Sequence, residues 1–380
     1  MPYYKGVIDQ VEADAGVRTA RNVASQLLSL RNRLNKDVPQ RNVTDSILLA
    51  TWNIRELGRN QKAGIRLPES LLYIAEIISH FDLVAVQEVN QNLADLKQLI
   101  ELLGDWWEYI VTDVTEGTSG NQERIAYVYD GRKVRFDHLA GELALPVKGK
   151  SGLQPARSPF LCAFRTGWRR ISLCSVHIYY GKSSPNDPRR VKEIADISSL
   201  LAKRNTRRQN IADGEPENSV LIGDFNVFNQ TGDKTTDALA KNQFTIPKEM
   251  KALHGSNLTR DKFFDQIAFH DPQTRLRTSR AGVFDFSDIL YKNDDEAVHA
   301  HAMERSAPIQ YKKARDKRKF YKTWRTFQVS DHLPLWVELQ TDFANAYLAS
   351  VMRGKKKVAS VARGKQSKQD DDVKIKAPPT

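Results

Sequence analysis

Cysteine is almost missing from this sequence. Two residues in 380, Cys162 and Cys174, cannot supply the disulfide framework of a small secreted fold. They flank Arg165–Arg170 in a predicted hairpin, where a single bridge is the alternative and two buried free thiols are the expectation. Long apolar runs are missing as well. No stretch approaches the ~18 residues that a bilayer-spanning helix needs. The opening residues, MPYYKGVIDQVEADAG, lack the basic and then apolar pattern of a secretory leader. These absences predict a soluble, cytoplasmic protein with no membrane partner. No internal repeat is evident.

Hydrophobic residues make up 40% of the chain, enough for a sizeable core. The length admits two domains or one large α/β sandwich. Net charge is +12, and its placement matters more than its size. Residues 351–380 hold nine Lys/Arg against three Asp, and residues 312–325 (KKARDKRKFYKTWR) hold eight against one. These two segments account for the whole excess. Basic patches attract polyanions; the plainer alternative is a solvated surface run. After Arg353 the apolar content falls away, so residues 353–380 are expected to form a basic, disordered tail.

Helical spacing of Val23, Leu27, Leu30 and Leu34 predicts an amphipathic helix over 10–36. Further helices are predicted over 68–80, 92–103, 191–203 and 342–352. Apolar runs predict strands at SILLATW (46–52), FDLVAVQEV (81–89), FLCAFRT, RRISLCSVHIYY, SVLIGDF, FFDQIAF and LPLWVEL (333–339). RIAYVYD and KVRFDHL read as two strands joined by a turn at Asp130–Gly131. Strands and helices mixed along the chain, with several hairpins, exclude a purely parallel sheet. They favour an α/β sandwich of packed mixed sheets with helices outside.

The polar residues at strand ends are the informative feature. ILLATWN ends in Asn53, LVAVQE in Glu88 and ISLCSVH in His177. VLIGDFN ends in Asp224 and Asn226, which strand alternation places on one face. FFDQIAF carries Asp265, and VSDHLPLWVEL begins with Asp331 and His332. Each alone has an ordinary reading: a solvated strand-end carboxylate, a turn former, a satisfied structural histidine. Together they place metal-capable and proton-transferring groups on rigid elements that packing can bring to one rim.

In sequence and order, TWNIRELG, DLVAVQEV, NQERIAYVY, SVH, LIGDFN, FFDQIAF, VFDFSDI and SDHLPLWVEL resemble the blocks of the endonuclease/exonuclease/phosphatase superfamily, and within it those of deoxyribonuclease. The resemblance covers about residues 46–340. It implies a four-layer α/β sandwich, two packed mixed β-sheets flanked by helices; outside it, the sequence itself predicts an N-terminal helical extension (1–45), a C-terminal helix (341–352) and the tail. It also implies hydrolysis of phosphodiesters with Mg²⁺, or Mn²⁺, as the cofactor. Glu88 is implied as the main metal ligand, supported by Asn53 and Asp331. Glu123 is implied as the orienting partner of His177, and Asp265 as that of His332. Asp224 and Asn226 then face the nucleophile and the phosphate, and the general base is either His332–Asp265 or Asp224. Arg55 and Arg157 match DNA-contacting arginines, and Lys317, Arg318 and Lys319 extend the basic surface.

Departures from the deoxyribonuclease pattern are Asn90, where an arginine is usual, Asn121, where a tyrosine is usual, and the lack of its structural cysteines. The expected partner is nucleic acid, DNA before RNA, and the leading expectation is a DNA endonuclease. A phosphatase or phosphodiesterase acting on RNA, inositol phosphates or lipid headgroups is the alternative. A non-catalytic binding protein is the third reading.

Overall fold

Strand β1 (Ser46–Leu57) shows why the molecule is layered. Ile47 and Leu49 point to one side and Leu48, Ala50 and Trp52 to the other, and both sets are buried. A strand buried on both faces needs a covering layer on each. In the computed structural model, which describes residues 2–4, 19–58, 66–114, 122–146, 154–182, 184–209, 218–271, 275–306 and 314–353, those layers are a second sheet and a coat of helices.

The first sheet joins β1 to β2 (Leu83–Val89), β3 (Trp107–Val111), β4 (Arg124–Asp130), β10 (Thr278–Val283) and β11 (Leu335–Gln340), in the order β10-β11-β1-β2-β4-β3. The second runs β5 (Arg135–Glu142), β6 (Phe160–Thr166), β7 (Arg169–His177), β8 (Asn218–Val227), β9 (Phe263–His270) in simple sequence order. Pairs β1–β2 and β7–β8 are parallel and the other pairs antiparallel, so both sheets are mixed. Leu49, Tyr127, Phe164, Leu173, Ile222 and Val337 fill the space between the sheets.

In chain order the helices are α1 (Ala20–Asp37), α2 (Pro68–Ser79), α3 (Ala94–Leu103), α4 (Pro188–Gln209), α5 (Lys234–Lys241), α6 (Ala300–Ser306), α7 (Ala314–Gln328) and α8 (Ala344–Met352). Leu27, Leu30 and Leu34 of α1 share one core with Ile74 and Ile77 of α2, Leu96 of α3 and Trp324 of α7, against the outer face of the first sheet. Ile194, Ile197 and Leu201 of α4, with Leu239 of α5, cover Leu221 and Phe225 of the second. This is the expected four-layer α/β sandwich. Helix α1 belongs to its outer layer, so Ala20–Asp37 of the N-terminal extension are packed into the body of the fold.

Four local readings need correction. The strands at 124–130 and 135–142 are not a hairpin: β4 pairs with β2 and β3, whereas β5 pairs with β6 in the other sheet. The chain changes sheets at Asp130, whose buried carboxylate is held by Arg41 and Arg132. The basic run 312–325, given no element from sequence, is helical where it is described, with Tyr321 and Trp324 buried along one side of α7. Strands β3 and β10 are short, partly exposed edge strands with weak alternation, and sequence reading passed over them. Asp224 and Asn226 do not follow plain alternation, as described below. The cysteines are buried free thiols, as expected. Cys162 pairs in register with Leu173 and Cys174 with Leu161, so the thiols leave the sheet on opposite faces. Residues 10–18, Asn121, Lys312, Lys313 and the tail beyond Arg353 lie outside the described residues.

Candidate active site

The strand register collects the site. His177 on β7 pairs with Asp224 on β8, and Asp224 pairs with Asp265 on β9, so three candidate site residues stand abreast on adjacent strands. Across the inter-sheet seam, Asn53 of β1 lies one register step from Glu88 of β2, and Glu123 immediately precedes β4. Ladder register shifts just beyond Asn53, around Glu88 and just beyond Asp224. Such bulges re-aim side chains at sheet rims. Glu88 (φ 58°) and Asn226 (φ 52°) are left-handed, a conformation that costs about 1–3 kcal/mol each and gathers at functional sites.

The bulge changes what LIGDFN does. The Asn226 backbone N–H donates to Asp224 Oδ1 (2.9 Å), and its amide Nδ2 donates to the Ile178 carbonyl (2.8 Å). Arg190 Nη1 donates to the Asn226 carbonyl (2.5 Å). Asn226 thus closes the turn that aims Asp224. Gly223 (φ 138°) precedes it because a Cβ there would meet the Val176 carbonyl oxygen at 2.1 Å.

Two histidine–carboxylate pairs flank Asp224. His332 Nδ1 lies 2.8 Å from Asp265 Oδ2, which also accepts from Ser256 Oγ at 2.6 Å. His177 Nδ1 lies 3.0 Å from Glu123 Oε2. The Nε2 atoms of His177 and His332 reach toward Asp224 Oδ2 at 3.6 and 3.8 Å. Burial pushes the His332 imidazolium down, but Asp265 and Asp224 outweigh it and raise its pKa well above the ordinary histidine value. His177 is also raised: burial and Arg157 oppose its charge, and Glu123 and Asp224 prevail.

Asn53 Nδ2 donates to Glu88 Oε1 (2.9 Å) and Asp224 Oδ2 (3.0 Å), which leaves Asn53 Oδ1 buried with no hydrogen-bond partner. An orphaned buried acceptor is costly unless something binds it. Burial raises the Glu88 carboxyl, His177 opposes the rise, and the Glu123 and Asp331 charges add to it. Hard oxygen donors on a crowded anionic rim fit Mg²⁺ or Mn²⁺. Glu88, Glu123 and His177 also bring ligand atoms within 4.8 Å of one another. Glu123, however, takes a bidentate fork from buried Arg157 (Nε to Oε2 2.9 Å, Nη2 to Oε1 3.2 Å) besides His177, which suits orientation better than metal ligation.

Most of the expected residues therefore converge. Asp331 stands at the edge, 41% exposed at its side chain and 3.1 Å from Arg55 Nη1. Arg55 stays at the open rim, stacked on Phe327 and donating to Thr326 Oγ1 at 2.6 Å. Arg157 is only 8% exposed, and its fork is on Glu123 rather than open to a phosphate. Lys317, Arg318 and Lys319 sit on the first half of α7, some ten residues from its end at Gln328 and so about 15 Å along the helix from the rim.

Sequence reading missed several supports. Ser330 Oγ donates to the Asn53 carbonyl (2.6 Å) and accepts from the His332 N–H (2.9 Å), tying the Asn53 and His332 segments together. Buried Arg66 donates to the carbonyls of Arg55, Glu56, Gln328 and Val329. Glu193 of α4, also buried, accepts from the backbone N–H groups of Ala156 and Tyr179, beside Arg157 and His177. Only the adjacency of Ser330 to Asp331–His332 hinted at any of these.

The Arg157–Glu123 pair yields a stability prediction. Burial opposes the Glu123 charge, but His177 and Arg157 outweigh it and hold the carboxyl at about 2. A depressed carboxyl stabilises the fold above its ordinary pKa near 4.5 and ceases to do so as pH falls toward 2. Glu123→Ala leaves Arg157 buried and unpaired, so it should cost roughly 3–5 kcal/mol at neutral pH. Urea unfolding across pH should show the gap from wild type narrowing below about 4.5. A pH-independent gap would show that the ion pair is not the cause.

No family model matches the sequence. No curated protein matches it either. Among solved structures, the chain is similar to an endonuclease/exonuclease/phosphatase family protein from Bacteroides thetaiotaomicron (19% identity, 78% of this chain and 96% of that one, TM-score 0.49). It is similar to a protein of the same description from Leptotrichia buccalis (16%, 78% and 100%, TM-score 0.48). The human Nocturnin catalytic domain, solved with a sulfate anion, is a further match (14%, 78% and 93%, TM-score 0.49). All three lie below a TM-score of 0.5, so the site's own residues carry the functional reading.

Proposed function

We propose that this chain is a divalent-metal-dependent phosphodiester hydrolase of the endonuclease/exonuclease/phosphatase kind, acting on nucleic acid and on DNA before RNA. The observation that carries the reading is the unpaired Asn53 Oδ1 beside Glu88 and Asp224, between two carboxylate-held histidines. Glu88 and Asn53 would hold Mg²⁺, with Asp331 in support, and the bound ion would polarise a phosphoryl oxygen. The neighbouring carboxylates raise the pKa of His332 and His177 and so favour their charged, donating form, suited to hold the phosphate and its developing charge. On this reading Asp224, rather than His332, accepts the proton of the attacking water. Asn226 and Arg190 fix Asp224; Glu123, Arg157 and Asp265 fix the two imidazoles.

The substrate class is tested by incubating the protein with supercoiled plasmid, linear duplex, single strands, RNA and a phosphomonoester, with Mg²⁺ or EDTA. The reading expects metal-dependent nicking of plasmid. Turnover of the monoester alone would replace it with a phosphatase.

The basic surface makes a separate prediction. Arg55 and the exposed side of α7 support a polyanion held outside the chemical site. Phosphate contacts release counterions, so affinity falls steeply with salt. Changing Lys317, Arg318 and Lys319 to Gln should weaken DNA binding and flatten its salt dependence, while hydrolysis of bis(p-nitrophenyl) phosphate barely changes. Identical salt slopes for the two proteins would make α7 mere solvated surface.

A further inference from the structure

The molecule has a second distinctive surface, at the pole opposite the active site. Ten large apolar side chains are exposed among the described residues, and five of them, Trp168, Tyr347, Leu348, Val351 and Met352, come from the β6–β7 turn and α8. Trp168 packs on Tyr347 with ring centroids 6.0 Å apart, which joins turn and helix into one patch. Trp168 is 63% exposed, Leu348 and Val351 56% and Met352 88%, although the α8 sequence, ANAYLASVM, carries no charge. An apolar helix left this exposed marks an interaction site.

Cations border the patch. Arg169 stacks on Phe343, and its Nη2 donates to the Arg275 carbonyl. Arg277 and Arg353 are exposed nearby in the chain's course. The sequence after Arg353 then carries six Lys/Arg and no acid through Lys368. Aromatic and aliphatic side chains beside Lys/Arg match the interface of an anionic bilayer, where rings and alkyl groups enter the headgroup boundary and cations meet lipid phosphates. Leu348, Val351 and Met352 have no comparable use on a nucleic-acid backbone.

From these observations we infer that α8 and the Trp168 turn dock the protein peripherally on anionic lipid surfaces. The chain lies on the membrane without crossing it, in keeping with the absence, among the described residues, of any helix long and apolar enough to span one. Strand β7 runs from this pole at Arg169 to the site at His177, so its nine residues separate patch and site by about 26 Å. The docked enzyme therefore faces its site away from the lipid on which it rests.

The test is co-sedimentation with vesicles of phosphatidylcholine, with and without phosphatidylglycerol. It compares wild type with the double variant Leu348→Asp, Val351→Asp. Both residues are exposed, so the variant should keep its fold, checked by circular dichroism, and its hydrolysis of bis(p-nitrophenyl) phosphate. Wild type should bind the anionic vesicles and not the neutral ones, and the variant should bind at least roughly tenfold more weakly. Its DNA affinity should be unchanged. Three results overturn the inference: equal vesicle binding by both proteins, a wild-type dimer that the variant breaks without any vesicle binding, or a loss of DNA affinity in place of lipid affinity. Since vesicle binding needs no catalysis, the inference stands or falls apart from the hydrolase reading.

Discussion

His332→Ala is expected to lower turnover by on the order of 10²–10⁴-fold, the range for loss of a positioned proton donor or acceptor. Its imidazole rests against Phe264, with its Nδ1 on Asp265 and its Nε2 directed at Asp224. Asp265→Asn should keep the ring in place yet remove the nearest charge that raises its pKa, at a cost of about 10–100-fold. The raised pKa favours the charged form of His332, which therefore loses its proton at higher pH than an ordinary histidine. The alkaline limb of the pH–rate profile should therefore move to lower pH in Asp265→Asn. The same sign applies to stability: the contribution of charged His332 is complete below the ordinary histidine pKa and lost as pH rises through the raised value. An unchanged alkaline limb would remove the pair from the mechanism.

Glu88→Ala is expected to cost on the order of 10²–10³-fold or more, comparable to deleting a charge-stabilising group from a transition state. The carboxylate accepts from Asn53 Nδ2 and from the Glu56 N–H, both at the rim, so little of the core depends on it. The thermal midpoint of the chelated protein should hardly move. Stabilisation by added Mg²⁺, which depends on binding to the folded state alone, should disappear in the variant. A variant with normal activity in Mg²⁺ would place the ion elsewhere.

The sandwich was legible because strands buried on both faces write themselves as unbroken apolar runs, as in LLATW and LVAV, and each run ended in a residue that the fold brings to the candidate site. The site's membership followed from those ends. Its geometry did not. Asn226 looked like a second side chain beside Asp224, but a left-handed backbone turned it into the clasp of that aspartate. Arg157 looked like a phosphate contact because a sequence motif does not record burial, and the fold closes over it to pair it with Glu123. Ser330, Arg66 and Glu193 act by hydrogen bonds to backbone groups distant in sequence, which no local pattern encodes. Helix α7 was hidden by its charge, although Phe320, Tyr321, Trp324 and Phe327 recur at helical spacing in KRKFYKTWRTFQ.

The most direct measurement is nicking of supercoiled plasmid by protein stripped with EDTA and then titrated with Mg²⁺, for wild type and Glu88→Ala side by side. The account predicts no cleavage by stripped wild type, recovery as Mg²⁺ is added, and no recovery in Glu88→Ala at the same concentrations. Cleavage by the stripped protein, or equal recovery in both, would contradict it.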